Sequence, residues 1–313
     1  MIEDLEKSLE SEMKNTPLDK ATPPKRGSNK DEIREVSGFK PLTAKSVPSE
    51  LMFNDPATTI KIRSASLAEV KYYSSMDEED PNSIDDGIMH ILKSCVKVGG
   101  GNYKDLTLTD KLHVFFAVRD YTMMNNSSKN EVIMDFVSQK DGERISKKVE
   151  SSLFEHYDID KKLMKYYDEA ERCFIIPMSD DSSIEPIKIF VPKIGVVDGL
   201  KKYIQKRQSE RQMDTSAYVD KKFAIYAQYL VPDWRLMDDD HKYLDTLKKA
   251  YDDWDAERLQ VFDYAVGLLK TGIKPSVSIA FENGEVERFP MSFREYKSLF
   301  FVSDKLRLLF PVD

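Results

Sequence analysis

The sequence predicts an α+β fold, mainly helical, built as two similar halves that each hold a strand, helices and a β-hairpin. Three observations lead there. Short β-branched runs alternate with longer stretches of helical periodicity. Two tight-turn signals, Asp141-Gly142 and Asn283-Gly284, each sit between apolar segments and supply the positive φ of a hairpin. One block also occurs twice: Leu112, Val114 and Phe115 align with Leu259, Val261 and Phe262 at a single offset, and Phe136 aligns with Phe281 at nearly the same one. Amphipathic helices resemble one another without common descent, so duplication and coincidence both stand at this point. The expected layout is a disordered tail over residues 1–40, a first half over 41–150 and a second over 151–313.

In chain order, residues 1–37 mix Glu, Lys, Ser, Asn and Pro with few large apolar side chains, too few to offset the entropy of ordering. Leu5, Leu9 and Met13 share one helical face, which reads as a docking peptide or as a frayed tail. Residues 39–49 are extended, because each residue before a proline is pushed out of the helical region. The alternation of Thr58-Thr-Ile-Lys-Ile-Arg63 predicts a strand. Ser66 with Glu69 three residues on is a capping box opening a helix over 66–76. Ile84, Ile88, Ile91, Leu92, Cys95 and Val96 line one face of a helix over 84–98 that Gly99-Gly-Gly101 stops. Thr109 caps a deeply buried helix over 110–123, and residues 131–149 form the first hairpin. Residues 154–172 read as helical with a mixed pattern. Residues 186–191 form a strand, and a cationic helix follows over 197–212. Three more helices cover 218–230, 240–254 and 255–269. The second hairpin spans 277–290, residues 292–301 form a short helix, and residues 306–310 are an apolar tail.

Composition removes several classes of function. At 313 residues, 41% hydrophobic and 33% charged, the chain is long enough for one large domain or two ordinary ones with a highly charged surface. A net charge of −8 argues against a chain whose main task is to neutralise phosphates. The two cysteines, Cys95 and Cys173, are far apart and lack CxxC spacing, so a disulfide framework and a cysteine zinc site are not expected and a reducing compartment is. Met1-Ile-Glu-Asp-Leu-Glu-Lys7 has neither a cationic start nor an apolar run, so no secretory signal is expected. No apolar stretch approaches the roughly 20 residues of a membrane helix.

Chemical motifs are sparse. Gly99-Gly-Gly-Asn-Tyr-Lys104 lacks a following Gly-Lys-Ser/Thr and trails a helix rather than a strand, so it reads as a helix stop and not as a phosphate loop. The acidic residues at 77–80 and 85–86 lack the ligand alternation of a calcium loop. The most enzyme-like segment holds Asp233, Asp238, Asp239 and His241, carboxylates and an imidazole of the kind that hold a hydrolytic metal. Residues 238–240 also fall at a helix start, where anions stabilise the dipole without catalysing anything. The four histidines show no HxH or HExxH spacing. Lys201, Lys202, Lys206, Arg207 and Arg211 form a cationic stripe suited to phosphate, to an acidic partner or simply to water. Paired aromatics, Tyr72-Tyr73, Phe115-Phe116, Tyr166-Tyr167 and Phe300-Phe301, are expected to send one ring inward and one outward, and outward rings anchor interfaces.

Three further segments carry a resemblance. Val47-Pro-Ser49 precedes Ile60-Lys-Ile-Arg63 and a helix beginning near Leu67. Leu106-Thr-Leu-Thr-Asp110 opens the helix that carries Arg119, and the second half ends with the Asn283-Gly284 hairpin and Phe300-Phe301. This ordered set, across residues 41–303, resembles the baseplate hub assembly proteins of T4-like bacteriophages. The chain departs from that pattern in one respect: many relatives carry cysteine pairs in the hairpins, and residues 132–136 and 277–281 have none, so metal binding is not carried over. The resemblance implies a non-enzymatic protein without a cofactor, acting as an assembly chaperone or structural subunit of the tail baseplate hub. Its expected partners are other hub or tail proteins, with neither nucleic acid nor membrane. Its expected place is the host cytoplasm during assembly, or the virion baseplate. Tyr72, Tyr73, Trp234, Phe300 and Phe301 are the expected contact residues, and a metal-dependent hydrolase using Asp233, Asp238, Asp239 and His241 is the alternative.

Overall fold

The computed structural model describes residues 38–99, 102–125, 133–178, 184–213, 221–237, 241–291 and 297–300. Among them lie eight α-helices and four small antiparallel sheets, an α+β architecture in which short sheets ride on helices. The expectations for residues 1–37 and 306–310 lie outside the described residues.

The first sheet runs β1 (Lys40–Leu42), β2 (Ile60–Ile62), β3 (Val96–Val98) in that order. Ile60 faces Leu42 on one side and Val98 on the other. Period two buries Ile60 and Ile62. Two helices connect β2 to β3, α1 (Leu67–Ser74) and α2 (Pro81–Cys95). The Ser66 capping box is present, with Ser66 Oγ accepting from Glu69 N and the Glu69 carboxylate accepting from Ser66 N. The α2 helix does not continue to residue 98. Val96 and Val98 are buried while Lys97 is exposed, so the apolar pattern that extends the helix face on paper is the alternation of a strand entered directly at Cys95.

Helix α3 (Asp110–Asn125) is the hub of the first core, with every residue from Val114 to Arg119 buried. Phe115 and Phe116 therefore both point inward, against the one-in, one-out expectation. A helix wrapped on all sides leaves no solvent face for the second ring. Its cap also differs: Asp110 N donates to Thr107 Oγ1 at 3.1 Å, not to Thr109. A hairpin follows, β4 (Ile133–Val137) with β5 (Arg144–Lys148), its turn closed by Gly142 at φ +76°.

Residues 154–172 are not one helix. Phe154 bridges Val277 in extended backbone, and only α4 (Lys161–Met164), a single turn capped by Asp160, is helical. The chain then pairs as β6 (Tyr167–Asp168), β7 (Cys173–Ile176) and β8 (Ile187–Ile189). The β-branched end of Cys-Phe-Ile-Ile176 and the reversal at Arg172, φ +55°, favour this ladder over a helix. Four helices come next, α5 (Ile194–Met213), α6 (Lys221–Ala227), α7 (Lys242–Asp252) and α8 (Ala256–Gly272). The second hairpin pairs β9 (Ser276–Ala280) with β10 (Val286–Pro290). Of residues 292–301, the described part, Lys297–Phe300, is a 3-10 turn.

Three apolar clusters hold these elements. The largest joins α2, α3, β2 and β3 to Val277, Ile279, Phe281, Leu299 and Phe300 from late in the chain. A second joins β7 and β8 to the inner face of α8 and to Phe53, and a third joins α5, α6 and α7. The two hairpins meet at their tips: Ser138 Oγ and Gln139 N donate to Glu287, and Asn283 Nδ2 donates to Asp141.

Candidate interaction surfaces

The polar residues of α3 are used for construction. Asp110 is fully buried and accepts from Ser49 Oγ at 2.6 Å, Ser49 N at 3.1 Å, Thr107 Oγ1 at 2.7 Å and the Tyr157 hydroxyl at 3.1 Å. Thr109 Oγ1 contacts the same Tyr157 hydroxyl. Burial pushes the Asp110 carboxyl up and these donors pull it back, while burial beside Asp110 raises the Tyr157 phenol. A carboxylate surrounded by four donors fastens three chain segments together and has no lone pair left for proton transfer to a substrate. One turn on, His113 is buried with neither ring nitrogen hydrogen-bonded, its ring edge-on to Phe154. Burial, aided by His156, holds its pKa down to about 4. Arg119, also buried, donates through Nε to Leu299 O at 2.9 Å and through Nη1 to Asp120 at 2.9 Å.

The expected contact rings divide. Tyr72 is 49% exposed, with one face stacked on His90 at 3.9 Å between centroids. Tyr73 and Phe300 are core rings, packed on each other at 5.1 Å and both on Phe115. Neither is open to a partner, because each plugs the space between α1 and α3. Phe301 lies outside the described residues. Trp234 is partly buried and committed: its Nε1 donates to Asp105 at 3.0 Å, Lys104 and Arg235 lie over its ring, and it rests on Gly195 of α5. A Cβ at Gly195 would stand 2.6 Å from Trp234 Cδ1, so glycine is what lets the ring seat there.

Asp233 caps the turn containing Trp234 and is engaged by Arg235, whose Nη1 donates to both carboxylate oxygens at 3.2 and 3.0 Å. His241 precedes α7 at φ +59°, its ring edge-on to Tyr203. Asp238 and Asp239 lie outside the described residues. Among the described residues no three His, Cys, Asp or Glu side chains gather as a metal would require. The cationic stripe is partly spent on neighbouring carboxylates: Lys201 reaches Asp85 at 2.8 Å, and Arg207 is bound by Glu210 and Asp245. Arg211's side chain lies outside the described residues. Cys95 is buried and donates weakly to Glu69, and desolvation pushes its thiol up to about 12, which makes it unreactive. No described helix is long and apolar enough to cross a membrane.

Among the described residues, the open grooves include two between helices. One, of about 450 Å³, lies between α2 and the start of α3, with Ile84, Ile88, Leu108 and Leu112 as walls and the Asp85–Lys111 ion pair, 2.5 Å, at its edge. The other, of about 280 Å³, lies between α4 and the outer face of α8, beside Tyr264. Sequence reasoning missed both, since each needs two segments remote in the chain. An aromatic at Tyr264, off the core face of its helix, was a signal the sequence offered for the second. Comparison with family models, with characterised proteins and with solved structures finds no match to this chain.

Proposed function

We propose that this protein acts by contact rather than by catalysis, as an assembly factor or structural subunit of a phage tail baseplate hub. The observation that carries the reading is the convergence of the three segments on which the family resemblance rests. Ser49 of the Pro-Ser loop binds Asp110 of the Leu-Thr-x-x-Asp segment. Arg119 of the same helix binds Leu299 O, and Phe300 packs on Tyr73 and Phe115. Motif residues that lock to each other in a core serve architecture, and the described polar clusters are likewise occupied by one another. Partners are other hub or tail proteins, met in the host cytoplasm or in the virion.

The same reading takes the chain as two related halves. Each holds a three-stranded antiparallel sheet with a buried Ile-Lys-Ile strand, and a long helix running into a hairpin. The aligned rings support it, since Phe115 and Phe262 are both core, as are Phe136 and Phe281. The test is affinity capture of the tagged full chain from phage-infected cells. Baseplate components should co-purify with it, and deletion of the gene should leave tails without a complete hub. Capture of no tail protein together with normal tails would end the proposal.

A further inference from the structure

Helix α8 carries apolar side chains beyond those of its fully buried face. Phe262, Ala265, Val266 and Leu269 face the second core. Val261, Tyr264 and Leu268, at i, i+3 and i+7, form a stripe at the edge of that face, Val261 and Leu268 partly buried against the second core and Tyr264 61% exposed. With Leu163 and Tyr166 from the α4 segment, this stripe lines the groove of about 280 Å³. Lys162 and Lys165 stand on its lip, both exposed, and among the described residues no carboxylate lines it. In a chain of net charge −8 that local sign is the reverse of the whole.

We propose that this groove is the docking site for a short amphipathic helix with acidic flanks, contributed by another protein. The inference deepens the contact-based function above and rests on it only for the occupant being a protein. Three properties select that occupant. The floor is an apolar stripe at helical spacing, which accepts side chains projecting at i and i+4 from a second helix. The volume suits one or two aliphatic anchors rather than a cofactor. The lip offers two ammonium groups, so carboxylates flanking the anchors gain attraction on approach while lysines there would be repelled. Tyr264, an amphipathic ring held by a rigid helix, suits the centre of such a contact.

The experiment uses the full chain and two fluorescein-labelled peptides of about 18 residues, long enough to hold a helix. Both carry leucine at i, i+4 and i+8, one with glutamate flanks and one with lysine flanks. Anisotropy titration should show the glutamate peptide binding at least about tenfold more tightly, a difference of about 1.4 kcal/mol. Lys162→Glu with Lys165→Glu should reverse that preference, and Tyr264→Ser should weaken both peptides. These side chains are exposed, so the variants keep the wild-type circular dichroism spectrum. Equal affinity for the two peptides, or binding indifferent to all three substitutions, overturns the proposal. So does self-association in sedimentation that Tyr264→Ser abolishes, which would give the groove to a second copy. None of these outcomes touches co-purification with tail proteins, so failure here is separable from failure of the contact-based function.

Discussion

His113 is a basic group that folding places where a proton is unwelcome. Its folded pKa of about 4 lies below the ordinary 6.5, so the folded chain refuses a proton that the unfolded chain accepts. Its contribution is therefore intact above pH 6.5 and lost as pH falls from 6.5 towards 4, by roughly 2 kcal/mol at pH 5. Glu69 acts in a lower window. Its hydrogen bond to Arg63 holds it down to about 2, so its stabilisation is lost as pH falls from about 4.5 to 2. Urea unfolding at pH 7 and pH 5 separates the two: His113→Leu should abolish most of the difference between those values, and an unchanged difference would refute the assignment. At Arg119 a different cost applies. Its charge is buried and fixed by Leu299 O and Asp120, so Arg119→Leu should destabilise by about 3–5 kcal/mol. Arg119→Lys should recover little of that in the same urea assay, because an ammonium cannot reproduce the guanidinium fork.

Among the elements, α5 meets the Trp234 turn through glycines a helical turn apart, Gly195 under Trp234 and Gly199 under Met237. The two substitutions should differ. Alanine raises helix propensity by about 1 kcal/mol at either site. At Gly199 the new methyl meets the flexible end of Met237, which can swing aside, leaving stability nearly unchanged. At Gly195 it meets a rigid indole, and overpacking of about 1–3 kcal/mol prevails. Gly195→Ala in a Trp254→Phe background, with Trp234 then the sole tryptophan, should red-shift its fluorescence; an unmoved emission maximum would show that the ring stays seated.

The same scale shows what the residues alone could convey. Capping at Ser66, both glycine turns and the burial of α3 follow from local chemistry, and all were legible. The strand at Val96–Val98 was not, because an apolar, polar, apolar triplet continues a helix face as readily as it begins a ladder. Nor was the strand pair around Arg172, whose two- and four-residue strands are too short to declare a period. That one ring of Tyr72-Tyr73 faces outward was readable, but not that it is Tyr72. Trp234 was not readable as a committed one, since its partners Gly195 and Asp105 lie far away in sequence.

For the whole molecule, the meeting of the hairpin tips matters more than either hairpin alone, since an isolated two-stranded hairpin is marginal in water. Glu287 accepts from both Ser138 and Gln139, and Phe289 touches Phe136 at 5.3 Å and Phe281 at 6.0 Å. Glu287→Ala should therefore speed hydrogen exchange in both hairpins together while leaving the amides of α3 protected. Acceleration confined to β9 and β10 would show that the hairpins open independently.

The placement of Phe300 also bears on biosynthesis. A ring made near residue 300 seals a cavity framed by Tyr73 and Phe115, and Leu299 supplies a carbonyl to a guanidinium synthesised 180 positions earlier. A nascent chain stalled before that point exposes a gap the size of a benzyl group in its oldest apolar assembly. Closure of this core then waits until residues 299 and 300 are free to dock, and until then the space stays open to water.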